Sequence, residues 1–502
     1  MSKPIIILDN GAHTIKVGLS TESVPRLVPN AAIRSKGDKQ LYIGQEFDNC
    51  RDYSSLTNRF SFERGYLTDW DVQKAVWDYL FSSEGMASDF KNTSLLITEP
   101  PFNFRSIQEK YDQLVFEEYE FESYVRCPGR SNSLKQSQDE EFIPLLLATA
   151  LAPYGSLFAS PQHLNVPYPE CSIVVDSGFS FTHVVPIMQG QILWGGVRRI
   201  DVGGKLLTNH LSNLVSFRQW NMLDQTYIVN DIKEKCCFVT SSFKDDLETC
   251  RIPGNNTTLQ YVLPDVSRNR HGYIRDRSTT NPLPGSNRNP MESSDPSDLE
   301  QILYMSNERF TVPELIFNPS DIGLSQAGLH HTIADSIASL PEDIQGMFWA
   351  NIGLIGGNMC FPNFENRLRQ ELRALAPIEY DVGLYPSQEP ILETYKAARA
   401  FSNSSAYFNL AITREEYNEG GSNACRRKFR CFDWDPIKEK QLTSARPSRR
   451  DRTRGVDTAQ SGEEDSEDSE VRRVAKKTLN TRKREKVIPA TTKTKRDASL
   501  RK

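Results

Sequence analysis

Two aspartates stand where chemistry with a phosphate or a cation is easiest. In each case an apolar run ends in Asp, followed by a small polar residue and Gly. The first is Ile5-Ile6-Ile7-Leu8-Asp9-Asn10-Gly11; the second, about 167 residues later, is Ile173-Val174-Val175-Asp176-Ser177-Gly178. An alternating segment follows each, Thr14-Ile15-Lys16-Val17-Gly18 and Phe181-Thr182-His183-Val184-Val185. The pattern predicts a buried strand, a tight turn and a returning strand. Glycine in such a turn lets backbone N–H groups come close to an anion, and a carboxylate at the strand end can hold a hydrated cation. Asp9, Asn10 and Gly11 in one copy, and Asp176, Ser177 and Gly178 in the other, are the candidate phosphate-side residues, with Asp9 and Asp176 as candidate metal ligands. Two such hairpins facing each other would grip a polyphosphate from both sides.

A third motif, Ile352-Gly353-Leu354-Ile355-Gly356-Gly357-Asn358, is an apolar strand running into a double glycine. Backbone without side chains at Gly356 and Gly357 lets a flat purine or its ribose pack directly against the chain. Taken after the two hairpins in chain order, it points to a nucleotide cleft.

The elements around these motifs alternate. Asp71–Phe81 has helical spacing, with Val72, Ala75, Val76, Tyr79 and Leu80 on one face, and Leu95–Thr98 is a short strand before Glu99-Pro100-Pro101. Gly204–Leu214 and Phe364–Leu375 are again helical in period. Strand–helix alternation with paired hairpins predicts an α/β fold of two lobes around a cleft. At 502 residues, with 38% hydrophobic content, the chain can bury a large core, and no apolar run reaches membrane-spanning length. Nine Cys without a CxxC pair argue against a zinc site or a disulfide framework.

Charge divides the chain at about residue 432. From Asp433 to Lys502 there are 20 Lys+Arg and 13 Asp+Glu, whereas residues 1–432 hold 40 basic and 52 acidic side chains. The C-terminal stretch carries an acidic block, Glu463 to Asp468, flanked by basic clusters that include Arg472-Arg473 and Arg482-Lys483-Arg484. With few large apolar residues it is expected to be disordered, and the basic runs suit nuclear import or contact with DNA. Within the body, 128–141 and 267–298 read as surface insertions rich in polar and turn-forming residues.

Longer segments carry a family resemblance. DNGAHTIKVG at 9–18, RGYLTDWDVQKAVWDYLF at 64–81, LLITEPPFNFRSIQEKY at 95–111, VDSGFSFTHVVP at 175–186, DIKEKCCFV at 231–239, ERFTVPELIFNPSDIG at 308–323, IGLIGGNMCFP at 352–362 and ITREEYNEGG at 412–421 resemble the actin-related protein family. The resemblance spans about residues 3–432, and implies an actin-like two-lobed ATPase fold with duplicated lobes around a nucleotide cleft. It adds Lys16 to the phosphate side, places Lys233 and Glu234 beside the purine and ribose, and implies ATP or ADP with Mg as cofactor. Several departures imply lost hydrolysis. The family's Ser and second Gly in the first hairpin are Ala12 and His13 here, and an Asp-Gly of the second is Phe179-Ser180. The glutamine that positions water in actin falls near Pro128 or Leu147.

His183, on an apolar hairpin strand, reads as a satisfied core histidine rather than a catalyst. Glu99 reads as a structural polar group, and Cys236-Cys237 as packing on a buried helix face. DVGGKLLTNHL at 201–211, FNFRSIQE and FNPSDIG resemble a nuclear branch of the family more than actin. That branch implies a non-catalytic subunit of a Swr-type, ATP-dependent chromatin remodeller that exchanges histone H-two-A for its Z variant. Its implied partners are the remodeller motor subunit, a zinc-finger HIT-type subunit and, through the complex, nucleosomal histones and DNA. The implied location is the nucleus, with some cytoplasmic protein. The alternative is an ATP-binding, polymerising cytoskeletal actin-like protein, against which the altered turns and the polar 35–63 stretch argue; a sugar kinase of the same fold is a third.

Overall fold

The computed structural model describes residues 3–127, 157–158, 169–252, 257–265, 271–275 and 300–429, apart from 38, 54, 83–85, 87–88 and 101. The 128–141 stretch, most of 267–298, and the tail from 433 lie outside the described residues, as do Pro128 and Leu147.

The two Asp-bearing motifs each open a sheet. In the first, Ile5–Asn10 pairs antiparallel with Thr14–Leu19, which continues to Arg26–Pro29. On the other side of Ile5–Asn10 the strand Ser94–Thr98 lies parallel, followed by Ser123–Cys127, and Ile412–Thr413 closes the edge. The second sheet repeats the arrangement. Cys171–Ser177 pairs antiparallel with Thr182–Met188, and its other edge takes Ile352–Ile355 and then Leu384–Pro386 in parallel. Gln191–Ile192 and Arg198–Ile200 both pair with Thr182–Met188. A hairpin followed by two parallel strands, made twice, is the internal duplication expected of the actin-like two-lobed fold.

Parallel pairing requires long crossovers, and these carry the helices. The strands Ile5–Leu8, Leu95–Ile97 and Ile173–Val175 are buried along their whole length, so their continuous apolar runs follow from having both faces covered. One core gathers Ile6, Leu8, Trp77, Leu96, Tyr111 and Phe401; the other gathers Val175, Leu207, Ile232, Phe317, Trp349 and Leu354. In the first crossover, the side chain of Asp69 caps the helix Trp70–Leu80 by accepting from the Val72 backbone N–H at 3.3 Å. Its buried face is Val72, Gln73, Val76, Trp77 and Leu80, rotated from the expected one, with Ala75 and Tyr79 only half-buried. The rotation follows from two partners outside the helix. Trp77 stacks on Tyr111 at 5.7 Å, and Gln73 reaches the polar cluster behind the first hairpin.

The crossover also contains a small sheet of Ala31–Ser35, Leu41–Ile43 and Leu56–Phe60 with its own core around Phe47, Tyr53 and Leu56. The helices Gly204–Arg218 and Thr226–Cys236 belong to the second crossover, and Phe364–Leu375 forms over the range its spacing predicts. Within 267–298 the described residues are not all loop: Tyr273–Ile274 is an edge strand on Leu259–Val262, which a short polar run does not announce.

Candidate functional site

The first hairpin builds its site from register. Asp9 and Lys16 are directly opposed across the two strands, and their side chains form an ion pair at 3.1 Å. The other oxygen of Asp9, Oδ1, accepts from Thr98 Oγ1 at 2.6 Å, on the neighbouring parallel strand. Asn10 turns the opposite way: its Nδ2 donates to Tyr111 Oη at 3.0 Å, inside a polar cluster with Gln73 and Asn30. Asn30 fixes the turn itself, donating through Nδ2 to the Gly11 carbonyl at 2.9 Å and through its backbone N–H to the His13 carbonyl at 2.9 Å.

The second hairpin is braced from three directions. Ser177 Oγ bonds Thr182 Oγ1 at 2.8 Å, and Asn358 Nδ2 donates to Ser177 Oγ at 3.0 Å and to the Gly178 carbonyl at 2.9 Å. The start of the helix Gly204–Arg218 then docks on the turn, with Gly204 N–H donating to Gly178 O and Lys205 N–H to Phe179 O. Gly356 lies against this hairpin with φ +96° and ψ 158°, and a Cβ there would come within 2.3 Å of the Ser177 carbonyl oxygen. Its glycine is required by the close approach of protein backbone rather than by a ligand. Gly357 has open space where a Cβ would stand.

Together these elements line a cavity of about 370 Å³, within the roughly 300–1,000 Å³ of small-molecule sites. Asp9, Asn10, Gly11, Lys16, Asp176, Gly178, Lys233, Glu234, Gly356 and Gly357 all line it. Ser177 does not: it is fully buried behind the hairpin, where it holds the turn. Lys233 donates to Thr208 Oγ1 at 3.0 Å, Asn230 Oδ1 at 2.8 Å and the Gly204 carbonyl at 3.3 Å, and burial lowers its pKa to about 8. Asn230 also donates to Glu234 at 2.7 Å, so Lys233 and Glu234 are positioned by one amide.

Asp176 has no ion-pair partner among the described residues. Burial, and then the negative charge of Asp9, push its pKa up to about 7, with Lys16 acting in the opposite sense. A buried carboxylate, Asp176, facing the charge of Asp9 is the condition a divalent cation relieves, so the donor set fits Mg held by carboxylates together with ligand phosphates. Asp9 and Asp176 would hold it.

The hairpin tips differ from this cation-ready floor. The His13 ring packs on Phe179 with centroids 4.7 Å apart, and Phe60, from the small sheet, packs on Phe179 at 5.4 Å. Burial, followed by the charges of Lys233 and Lys16, lowers the pKa of His13 to about 4. Next along the second hairpin, Phe181 lies over His183 at 4.2 Å and carries the Arg199 guanidinium on its ring at 4.6 Å. Phe181 lines the cavity and His183 does not. His183 is indeed a core histidine, but not a satisfied one, since neither ring nitrogen has a partner among the described residues; burial lowers its pKa to about 3.

Side chains also cross from one lobe to the other beyond the cavity. Arg199 donates to Tyr66 Oη at 3.3 Å and to the Arg64 carbonyl at 3.1 Å, and Lys205 pairs with Glu63 at 2.8 Å. Tyr227, on the helix Thr226–Cys236, packs against Phe47 and Tyr53 at 5.2 and 5.6 Å.

Glu99 lines the cavity floor but is engaged. It accepts from Gln108 at 3.0 Å and Asn103 at 3.0 Å, beside the buried Arg126, which also faces Asp112 at 3.4 Å. Burial raises the pKa of Glu99, and that of Asp112 to about 7. Cys236 and Cys237 are both buried at the end of their helix.

Thr98 and Asn30 escape a reading of the sequence motifs, and Asn358, at the end of the third motif, gives no sign there of its role, although each fixes a hairpin. Thr98 leaves a trace as the polar residue that follows Leu95-Leu96-Ile97.

Comparison with known proteins agrees with this geometry. A family model described as Actin matches residues 2–430. The actin-like protein ARP6 of Cryptococcus neoformans is 47% identical over 438 residues, covering 86% of this chain and 85% of its own length. Actin-related protein 6 of Drosophila melanogaster is 36% identical over 84% of this chain and 98% of its own. The actin-like protein ARP6 of Yarrowia lipolytica is 38% identical over 86% of this chain and 99% of its own.

Proposed function

The chain belongs to the actin family, and on that premise we propose that it is a non-catalytic nuclear subunit of a Swr-type, ATP-dependent chromatin remodelling complex that performs histone exchange. In that role it serves transcription and chromosome stability as a scaffold. Its relatives named actin-related protein 6, in fungi and in an insect, support the assignment to that branch. The partners are the remodeller motor subunit and a zinc-finger HIT-type subunit, with the nucleosome reached through the complex. The basic clusters Arg472-Arg473 and Arg482-Lys483-Arg484 support a nuclear location, with a cytoplasmic fraction before assembly.

The observation that carries the non-catalytic reading is aromatic occupation of the hairpin tips. A nucleotide with Mg would meet Asp9, Asp176 and Lys16 below and Lys233, Glu234 and Gly357 at the purine end. When bound, the cation would neutralise phosphate charge. The chain's own residues bind and orient: Thr98 and Lys16 hold the Asp9 carboxylate, and Asn230 holds Lys233 and Glu234. Hydrolysis needs, besides binding, a group that orients a water. His183 is sealed under Phe181, and Glu99 is bound by Gln108 and Asn103. The side chains that cross between lobes, Arg199, Lys205 and Tyr227, suit a body that keeps one shape inside an assembly rather than cycling as a filament subunit.

Affinity purification of the tagged full chain from nuclear extract tests the assignment. Co-purification of a remodelling motor and a zinc-finger HIT-type protein, in amounts near equimolar with the chain, is the expected result. Recovery as a filament or as a free monomer from nuclei would refute it.

A further inference from the structure

We propose that the cleft selects a nucleoside diphosphate over the triphosphate, and that His13 and Phe179 are the residues that set this preference. The inference rests on the reading of the cavity as a nucleotide cleft, and goes beyond it by naming the form of nucleotide and the groups that choose it.

The argument begins with what a terminal phosphate needs. A polyphosphate lying between two hairpin turns is held by backbone N–H groups from both tips, and its charge is offset by nearby cations. Close approach to such a turn depends on small residues at the tip. Here both tips carry rings, and the rings meet. His13 comes from the first hairpin and Phe179 from the second, with centroids 4.7 Å apart, and Phe60 backs Phe179 from the small sheet at 5.4 Å. Three elements therefore place an aromatic stack across the gap between the tips. The stack offers no positive charge and fills space from both sides at once.

Charge points the same way. Among the described residues, the acidic side chains lining the cavity are Asp9, Glu99, Asp176 and Glu234 and the lysines are Lys16 and Lys233, besides His13 and Cys360. Lys16 is already paired with Asp9, and Lys233 already donates to three protein oxygens. With Asp9 offset by Lys16, one divalent cation would be divided between Asp176 and the ligand's phosphates, and the phosphate side has no further lysine among the described lining residues to balance the extra negative charge of a third phosphate. Like-charge juxtaposition without a compensating cation disfavours the triphosphate. The purine end, built from Lys233, Glu234 and Gly357, is common to both nucleotides and does not discriminate.

Isothermal titration of the full-length protein with ADP and with ATP, each with Mg, tests the proposal. The wild type is expected to bind ADP tighter than ATP by about tenfold or more. The double variant His13→Gly, Phe179→Ala, which removes the stack without adding charge, should lower the ADP-to-ATP preference several-fold. Phe179→Leu, which keeps apolar bulk between the tips, should retain the preference for ADP and guards against reading a folding defect as a change in selectivity. Equal affinity for the two nucleotides in the wild type, or a ratio unchanged in the double variant that still melts cooperatively, overturns the proposal while leaving the nucleotide cleft in place. Absence of binding by either nucleotide to the wild type and to both variants overturns the cleft reading and the proposal together.

Discussion

Replacing Gly356 with Ala should damage the protein far more than the same change one residue later. Gly356 sits at φ +96° and ψ 158°, a region that residues with a side chain essentially do not occupy. Forcing Ala into it costs about 1–3 kcal/mol in backbone strain. The added Cβ would also stand 2.3 Å from Ser177 O, 2.6 Å from its carbonyl carbon and 2.8 Å from its nitrogen. All three are backbone atoms of a strand buried between neighbours, so relief requires the strand Ile352–Ile355 and the second hairpin to part by about 1 Å. Overpacking of that kind adds about 1–3 kcal/mol, for a total of about 4 kcal/mol, a large part of the stability of a typical domain. Gly357 has no heavy atom within 4 Å of its would-be Cβ and no positive φ, so Gly357→Ala should change stability by no more than about 0.5 kcal/mol. Urea unfolding of both variants, followed by tryptophan fluorescence, measures the contrast. Midpoints that coincide for the two variants would refute the packing argument. So would a Gly356→Ala variant as stable as wild type.

Other expectations follow from particular contacts. Arg367 and Glu314 form a buried bidentate pair at 2.9 and 3.1 Å, so Glu314→Leu, which leaves the guanidinium only Glu371 and the Thr240 carbonyl, should cost about 2 kcal/mol in urea unfolding. The double replacement with Arg367→Leu should cost less than the sum of the two single changes. The pKa of His183 falls from 6.5 to about 3 on burial: the unfolded chain takes up a proton near pH 6.5 while the folded one refuses it. The stability this group contributes is therefore full above pH 6.5 and lost as pH falls, by about 2 kcal/mol between pH 7 and 5. His183→Leu should flatten that part of the stability curve, and an equally steep acid limb in the variant would contradict the assignment. A chain ending at Phe432 should keep its melting temperature within a degree or two, because residues 433–502 carry few large apolar side chains to join a core; loss of cooperative melting would contradict that reading.

The duplicated architecture was legible because it is written in local pattern. An apolar run ending in Asp, a polar residue and Gly can be recognised without knowing its partner, and both copies form the predicted hairpins. The helices at 204 and 364 were legible for the same reason, their period being a property of the segment alone. Side-chain direction was not. Nothing in DNG tells that Asn10 turns back to Tyr111 while Asp9 faces the cavity, since that depends on Gln73 and Asn30 arriving from elsewhere. The buried face of Trp70–Leu80 was not legible because Trp77 stacks on Tyr111, which the separate helix Arg105–Gln113 supplies. His13 and Phe179 could be seen separately as departures from an actin-like turn. That they touch each other is a property of two lobes brought together, which spacing within either segment does not encode. The double glycine was legible as a pair, yet its members do different work: Gly356 admits the protein's own backbone, and Gly357 leaves space.

Phosphate release from ATP by the purified full-length protein tests the central claim most directly. The account predicts that, with Mg present and nucleotide in excess, the protein releases no more phosphate than buffer does over hours, in wild type and in Asp176→Ala alike. Steady release by the wild type that is abolished by Asp176→Ala would contradict it, and would make this cleft an ATPase.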